Sequence, residues 1–405
     1  MTLRRIVFWP HLIAGVLAGL VILLMSVTGV LLTYERQMIA WADSGFRSTA
    51  PAPDAEPLAI DALLAALRQT HPDVVPVTVT VRADPDAAVA VAAGQRTLYV
   101  DRYSGAVVGE AARGGMRALM TELRAWHRWL AVDGEGRPVA RAITGWANFI
   151  FLFIVVSGAY LWLPRRWTWP QVRNVLLFNP RARGKARDFN WHNVIGSWCA
   201  VPLFVVVLSA LPISFGWFNA LVYRAVGEAP PPPARGGGAP PAAGARESAA
   251  PAADPQRGNG GATASTDIRD LDALWSQAER QVTGWRTVAL RLPASADAPA
   301  VFTIDRGDGG QPHLRSTLTL DTRTGAVVRH ETFSDLTLGR RIRNTMRFAH
   351  TGEVLGIPGQ TVAGIASAGG AVLVWTGLAL AWRRFRAWLA PRSRRDTQSR
   401  ISSAA

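Results

Sequence analysis

The sequence predicts a membrane protein with four transmembrane α-helices in two parallel repeats, each repeat carrying an external α+β domain. Three observations predict this fold class. Apolar residues make up 49% of the 405 residues. Four apolar stretches are long enough to cross roughly 30 Å of hydrocarbon. Nearly all of the net charge of +15 lies in short segments beside those stretches.

The same distribution argues against nucleic-acid binding. A nucleic-acid-binding protein has its basic residues clustered on one face of a folded domain. Nucleic acid is therefore not expected as a partner.

The charge distribution predicts how the chain crosses the membrane. The N-terminal tail, the loop after span 2 and the C-terminal tail together hold a net charge of +14. Basic flanking segments favour the cytoplasm, so both termini are expected inside and the two long segments outside. Arg4 and Arg5 precede span 1, as basic residues precede the apolar core of a signal peptide. The apolar run of span 1 is longer than that core typically is, so we expect a retained membrane anchor.

The predicted organisation has twelve segments. They are 1–10 (cytoplasmic N-terminus), 11–33 (span 1), 54–113 (external domain 1), 115–131 (interfacial helix), 143–163 (span 2), 164–191 (basic cytoplasmic loop), 192–215 (span 3), 228–265 (disordered linker), 266–335 (external domain 2), 336–359 (interfacial segment), 360–382 (span 4) and 383–405 (basic cytoplasmic tail). The linker is rich in Pro, Ala and Gly and has too few apolar residues to form a core.

Two sequence similarities predict the repeat. Asp-x-x-Ser/Thr-Gly-Ala-Val-Val begins at Asp101 and again at Asp321, where glycine suits the positive φ of a turn between strands. Each turn follows an apolar helical stretch and alternating β-type stretches, so each external domain is expected to be one helix on a short antiparallel sheet. His-x-x-x-Gly opens spans 1 and 3, at His11 and His192. Since both halves start on the same side, the pseudo-two-fold axis is expected along the membrane normal.

Small residues also recur at matching depths in the spans. The matching dipeptides are Thr28-Gly29, Ser209-Ala210, Ser157-Gly158 and Thr376-Gly377. A second set of small residues follows the span-opening histidines in four-residue steps, at Gly15, Gly19, Gly196 and Ala200. One explanation for this second set is close helix packing of the Gly-x-x-x-Gly kind. The other is room for a flat cofactor beside the span-opening histidines.

Four of the seven histidines lie at predicted membrane interfaces. His11 and His192 are at the cytoplasmic face, and His127 and His350 are at the external face. Repeat symmetry puts equivalent side chains on either side of the axis, so a flat cofactor on it receives one ligand from each half. Haem fits, because two neutral imidazoles can bind its iron axially. The alternative for each histidine is an amphipathic interfacial anchor.

These positions predict two haems b, one held by His11 and His192 and the other by His127 and His350, with no further catalytic residue. No Cys-x-x-Cys-His motif is present for covalent attachment. No nicotinamide, flavin or phosphate-binding motif occurs either, so an unidentified cytoplasmic electron donor is expected. The remaining histidines break the repeat and are expected at the surface. They are His71, His313 and His330.

The residues resemble the PepSY-associated transmembrane family of bacterial inner-membrane proteins, often described as iron-regulated. The resemblance rests on the two Asp-x-x-Ser/Thr-Gly turns, on Trp126-His127-Arg128-Trp129-Leu130 before Ser157-Gly158, and on His350-Thr351-Gly352 before Thr376-Gly377. It implies PepSY-like external domains in the periplasm. Within the family, the chain looks like the siderophore reductases, which are implied to carry haem b and to reduce periplasmic ferric siderophores.

Two other functions are weighed against this one. A regulatory or protease-inhibitory membrane protein without redox activity would use the PepSY-like domains alone, and the colour of the purified protein separates it from a haem protein. A transporter is disfavoured, because the spans carry almost no ionisable residue between the interfacial histidines, whereas substrate pathways usually need one near the midplane.

Overall fold

The computed structural model describes residues 3–94, 96–111, 115–164, 166–231, 270–295 and 297–389. These residues form eleven α-helices and eight β-strands. The helices are α1 (Leu3–Leu32), α2 (Glu35–Ala42), α3 (Ile60–Thr70), α4 (Gly115–Trp129), α5 (Arg137–Trp162), α6 (Trp169–Leu176), α7 (Gly184–Ser214), α8 (Gly216–Ala225), α9 (Leu271–Gln281), α10 (Leu338–His350) and α11 (Gly356–Leu389). The strands are β1 (Thr78–Arg82), β2 (Val89–Ala93), β3 (Arg96–Val100), β4 (Val107–Glu110), β5 (Thr287–Arg291), β6 (Ala300–Asp305), β7 (Arg315–Leu320) and β8 (Val327–Glu331).

The chain divides into two compact units. The helical unit comprises Met1–Thr33, Arg124–Phe215 and Thr361–Ala405, and the sheet unit comprises Tyr34–Leu123 and Gly216–Gln360. Of the predicted linker, only residues 228–231 are described. Of the predicted C-terminal tail, residues 383–389 continue α11, and the rest lies outside the described residues.

Four helical segments are long and apolar enough to span a membrane. They are Leu3–Leu32, Gly134–Trp162, Gly184–Ser214 and Glu353–Leu389. They contain the predicted spans almost completely, which supports a membrane protein with four candidate membrane-spanning helices. The helices extend past the predicted spans because their polar ends continue the same backbone hydrogen-bonding pattern beyond the apolar run.

The helical unit exposes many large apolar residues, and its core combines small residues with a few large apolar ones. Leu17, Leu20 and Val201 are 78%, 76% and 74% exposed, which suits contact with lipid rather than water. Inside, α5 packs against both α1 and α7. Helix α11 approaches α7 closely where Gly369 lies beside the Cys199 sulfur. In a membrane, helices associate mainly through van der Waals packing, and small residues let their backbones come close together.

The sheet unit contains one antiparallel eight-stranded sheet in the order β4-β3-β2-β1-β5-β6-β7-β8. Helices α3 and α9 contribute to a single apolar core on this sheet. The two segments expected to form separate α+β domains are therefore joined through β1 and β5, with Val79 opposite Leu290. Pairing these strands removes the open edge that each four-stranded half would otherwise present.

The two predicted turns are present at equivalent places in the sheet, between β3 and β4 and between β7 and β8. The Oδ1 atom of Asp101 accepts the amide N–H groups of the residues two and three positions later, at 2.9 and 2.8 Å, and Asp321 does the same at 3.0 and 2.8 Å. Gly105 and Gly325 have φ of +74° and +69°. The positive φ that the sequence predicts for these glycines is confirmed.

Candidate functional site

Two predicted ligands, His11 on α1 and His192 on α7, both lie in the helical unit. The Nδ1 atom of His11 lies 2.8 Å from the hydroxyl oxygen of Ser157 on α5. The Nδ1 atom of His192 lies 2.9 Å from the hydroxyl oxygen of Thr376 on α11. Both rings are half-buried. We call these two residues the inner histidine pair.

The hydroxyl groups determine which ring nitrogen carries the proton. The Ser157 hydroxyl oxygen lies 2.6 Å from the carbonyl oxygen of Phe153, and the Thr376 hydroxyl oxygen lies 2.8 Å from that of Val372. Each hydroxyl thus donates its one proton to its own helix, and its oxygen accepts the Nδ1–H of the imidazole. The neutral ring then keeps a free lone pair on Nε2, which is the form that binds a metal.

A glycine follows each hydroxyl residue and leaves room for the imidazole. A Cβ added to Gly158 would lie 3.2 Å from Cε1 of His11, and one added to Gly377 would lie 3.4 Å from Cε1 of His192. The first of these distances is shorter than ordinary van der Waals contact, and the second is at its lower limit. The hydroxyl forms a hydrogen bond with the ring. The glycine has no side chain, so the ring can occupy the space beside it.

A third predicted ligand, His127, has the same surroundings near the other end of α1. Its Nδ1 atom lies 2.9 Å from the hydroxyl oxygen of Thr28, which lies 2.7 Å from the carbonyl oxygen of Leu24. A Cβ added to Gly29 would be 3.6 Å from Cε1 of His127. The 17 residues from His11 to Thr28 cover about 26 Å of helix axis. This is close to the hydrocarbon thickness of a bilayer, roughly 30 Å.

The connection between α4 and α5 positions His127. Helix α4 ends at Trp129, and the next two residues have φ of +53° and +57°, which turns the chain toward α5. The guanidinium carbons of Arg128 and Arg137 lie 4.7 and 4.4 Å from the Trp129 ring centre. The hydroxyl of Thr144 on α5 donates to the Arg128 carbonyl at 2.9 Å. These contacts hold the end of α4, and with it His127, against α5.

The fourth predicted ligand, His350, is the half-buried last residue of α10 in the sheet unit. Its pairing with His127 stays a prediction. Ser209, the repeat match of Thr28, donates to the Val206 carbonyl at 3.0 Å. The three other histidines belong to the sheet unit. His313 and His330 are exposed, as expected for surface residues, and His71 is half-buried.

The donor set fits haem better than a bare metal ion. Among the residues that the structure describes, no group of three or more His, Cys, Asp and Glu side chains is suited to holding a metal ion. The available donors are single imidazoles, and two imidazoles could hold a haem iron. The glycine-lined rings at His11 and His192 therefore suit the predicted cofactor.

The chain matches the model of a known family over most of its length. The model of the PepSY-associated TM region matches residues 8–384. The chain belongs to this family. The predicted family membership is thus confirmed, and the match includes all four predicted ligands. No curated protein matches the chain.

In this PepSY-associated protein, sequence reasoning missed the partners of the histidines. Thr28, Ser157 and Thr376 stand out in the sequence as repeat-matched small residues, but not as hydrogen-bond acceptors for imidazoles. It also missed Asp188, a buried carboxylate one helical turn before His192. Asp188 had a usable signal, because it is the one acidic residue in the basic segment 164–191.

Proposed function

We propose that the chain is a transmembrane haem b oxidoreductase that moves electrons from the cytoplasmic side of the bacterial inner membrane to a periplasmic ferric siderophore. One observation carries this proposal. His11, His127 and His192 each have Nδ1 held by a hydroxyl that is itself bonded to its own helix. An interfacial anchor needs no such partner, since water and lipid headgroups satisfy both ring nitrogens.

His11 and His192 would hold one haem, and His127 and His350 the other. When bound, haem iron supplies reversible one-electron transfer. The hydroxyls of Ser157, Thr28 and Thr376 orient the imidazoles of His11, His127 and His192 through Nδ1. The second pair rests on the parallel repeat, in which the segment before span 4 matches the segment before span 2 and both lie on the external side.

The surroundings of the histidines favour electron transfer over transport of iron itself. No charged residue occurs between His11 and Thr28 on α1 or between His192 and Ser209 on α7. Such an apolar interior suits neutral imidazoles, because desolvation penalises a charged form. A transport pathway for a charged substrate usually has an ionisable residue near the midplane.

The charge distribution supports an outward direction of electron flow. With both termini in the cytoplasm, the basic loop faces the electron donor, and the sheet unit faces the periplasm and the siderophore. The basic loop has exposed cationic side chains suited to an acidic electron carrier. They are Arg166, Arg173, Arg181, Arg183 and Lys185. One electron converts bound Fe(III) to Fe(II), which hard oxygen ligands hold less tightly, so the iron is released.

Haem content of the detergent-purified chain tests the cofactor. We expect a red protein with about two haems b per chain, and His11→Ala and His192→Ala should each remove one of them. The control is His71→Ala in the sheet unit, which should leave the ratio unchanged. A colourless wild-type chain would contradict the proposal and favour the regulatory function of PepSY-like domains.

Reoxidation tests the substrate. Dithionite-reduced protein should be reoxidised by a ferric siderophore, and His350→Ala should slow this without preventing reduction of the cofactor at the inner histidine pair. Reoxidation at the buffer rate across a panel of ferric chelates would count against a siderophore as acceptor.

A further inference from the structure

The C-terminal end of α11 contacts both helices that carry the inner histidine pair. The Nη2 atom of Arg383 lies 3.0 Å from Oδ2 of Asp188 on α7. The guanidinium carbon of the next residue, Arg384, lies 5.1 and 4.8 Å from the ring centres of Phe8 and Trp9 on α1. Two adjacent arginines thus connect α11 to α7 and to α1.

Asp188 is a buried carboxylate with two cationic partners. Its side chain is 8% exposed. Besides Arg383, it accepts hydrogen bonds at Oδ1 from Nη2 and Nε of Arg187, at 3.0 and 3.2 Å. A buried ion pair contributes little net stability, because desolvation of the charges offsets their attraction. Fixing one geometry is a better-supported role for such a pair.

The ion pair continues the contact that holds His192. Asp188 and His192 are four residues apart on α7, so they share a helix face. Thr376 and Arg383 are two turns apart on α11 and also share a face. The Asp188–Arg383 ion pair and the His192–Thr376 hydrogen bond are therefore successive links between the same two helices.

We propose that Asp188 is a positioning residue for the inner histidine pair, an inference that rests on the proposed haem function. Its ion pair with Arg383 fixes α7 against α11, so that His192 meets Thr376. Its charge also lowers the reduction potential of the iron that His192 holds. A nearby carboxylate stabilises the ferric form, which carries one positive charge more than the ferrous form, and a nearby guanidinium does the opposite.

Potentiometric titration of the visible haem bands tests this with two variants. Asp188→Asn and Arg383→Met remove the same ion pair, so both should release haem at a lower temperature than the wild type. Their effects on potential should be opposite. Asp188→Asn should move the potential of the inner site to a more positive value, and Arg383→Met should move it to a more negative value. Arg383→Lys keeps the charge and should stay nearest to the wild type.

The matched control is Asp86→Asn, which removes a carboxylate from an ion pair with Arg47 in which both side chains are more than half exposed. It should leave potential and haem release unchanged. In a haem-containing chain, shifts of the two ion-pair variants in the same direction, or no shift, would overturn this inference and leave the proposed function standing. A wild-type chain without haem would overturn both.

Discussion

The hydroxyl oxygen of Thr376 lies between two partners, 2.9 Å from Nδ1 of His192 and 2.8 Å from the carbonyl oxygen of Val372. A threonine in a helix often donates to a backbone carbonyl of the preceding turn, and that bond is internal to one helix. Because its one proton is used in that bond, the oxygen can only accept, and it accepts the Nδ1–H of an imidazole on a different helix. The contact therefore positions the His192 ring and determines that Nδ1 is the protonated nitrogen.

Removing this hydroxyl should weaken haem binding at the inner site. In Thr376→Val the Nδ1–H of His192 loses its acceptor while half-buried, which costs about 1–3 kcal/mol. Loss of such a ligand-orienting group typically lowers metal affinity about 10- to 100-fold. Haem transfer to an excess of an acceptor protein measures the effect. Ser367→Ala is the control, because Ser367 donates to the Ala363 carbonyl of its own helix at 2.9 Å and should change little. Equal haem loss in both variants would contradict the role of Thr376.

A methyl group beside either inner histidine should displace its ring. In Gly158→Ala the new Cβ would lie 3.2 Å from His11, and in Gly377→Ala it would lie 3.4 Å from His192. We expect lower haem content in both variants, with the larger loss at Gly158. Gly45→Ala in the sheet unit is the control, since nothing lies within 4 Å of its added Cβ. Unchanged haem content in all three variants would show that these glycines serve helix packing alone.

The carboxylates of Asp61 and Asp272 should make the sheet unit less stable as pH rises. Each side chain accepts the backbone N–H of the other at 3.3 Å, where α3 and α9 begin. Burial, followed by the charge of Asp272, raises the pKa of Asp61. The folded chain therefore keeps this proton to a higher pH than the unfolded chain. The resulting stability is full below the ordinary pKa of aspartate and is lost as pH rises through the raised value.

Asp61→Asn should remove this pH dependence. The amide oxygen can still accept the Asp272 N–H, but it carries no charge, so the variant should be the more stable one at about pH 7 and should lose its advantage toward about pH 4. Thermal unfolding of the full chain in detergent across this range measures the difference. An unchanged profile in Asp61→Asn would contradict the assignment. Asp86→Asn, at an exposed carboxylate, is the matched control.

The two turn aspartates should differ in their contribution to stability. Asp101 is 6% exposed and accepts the amide of Thr49 at 2.8 Å in addition to the two turn amides that Asp321 also accepts. Hydrogen bonds to a charged group contribute about 1.5–3 kcal/mol each. Asp101→Ala should therefore lower the free energy of unfolding more than Asp321→Ala does. Equal effects, measured by thermal unfolding, would contradict a role for the Thr49 contact.

The pH profile provides an independent check of Asp101. Burial opposes ionisation, but the amide hydrogen bonds from Thr49, Ser104 and Tyr103 outweigh it and lower the pKa of Asp101. The stability that this carboxylate contributes is present above the ordinary pKa of aspartate and is lost as pH falls through the lowered value. Acid should therefore destabilise the wild type more than Asp101→Ala, the opposite of the change expected at Asp61.

The charge distribution should place both termini in the cytoplasm. A reporter fused after Ala405 is expected to be active only in its cytoplasmic form, because the three basic segments hold +14 of the net charge. A reporter that functions only outside the cytoplasm, inserted at residue 256 in the predicted linker, should be active. Activity of such a reporter after Ala405 would overturn the assignment of the histidines to faces.

The sequence by itself determined the membrane-spanning helices, the two Asp-x-x-Ser/Thr-Gly turns and the family. These are local properties, since about 20 consecutive apolar residues or one five-residue turn require no distant contact. The candidate ligands were also identified from local sequence, because each of these histidines lies next to a predicted span.

Only the tertiary structure decided which side chains meet. His192 and Thr376 are 184 residues apart and Asp188 and Arg383 are 195 apart, and neither pair is implied by spacing within one helix. The pairing of β1 with β5 is also a contact between distant segments. The sequence pattern of each four-stranded half is equally compatible with a separate domain, so it does not predict this pairing. Such contacts depend on how whole helices and strands pack, and packing reflects shape complementarity summed over many residues, which no local pattern contains.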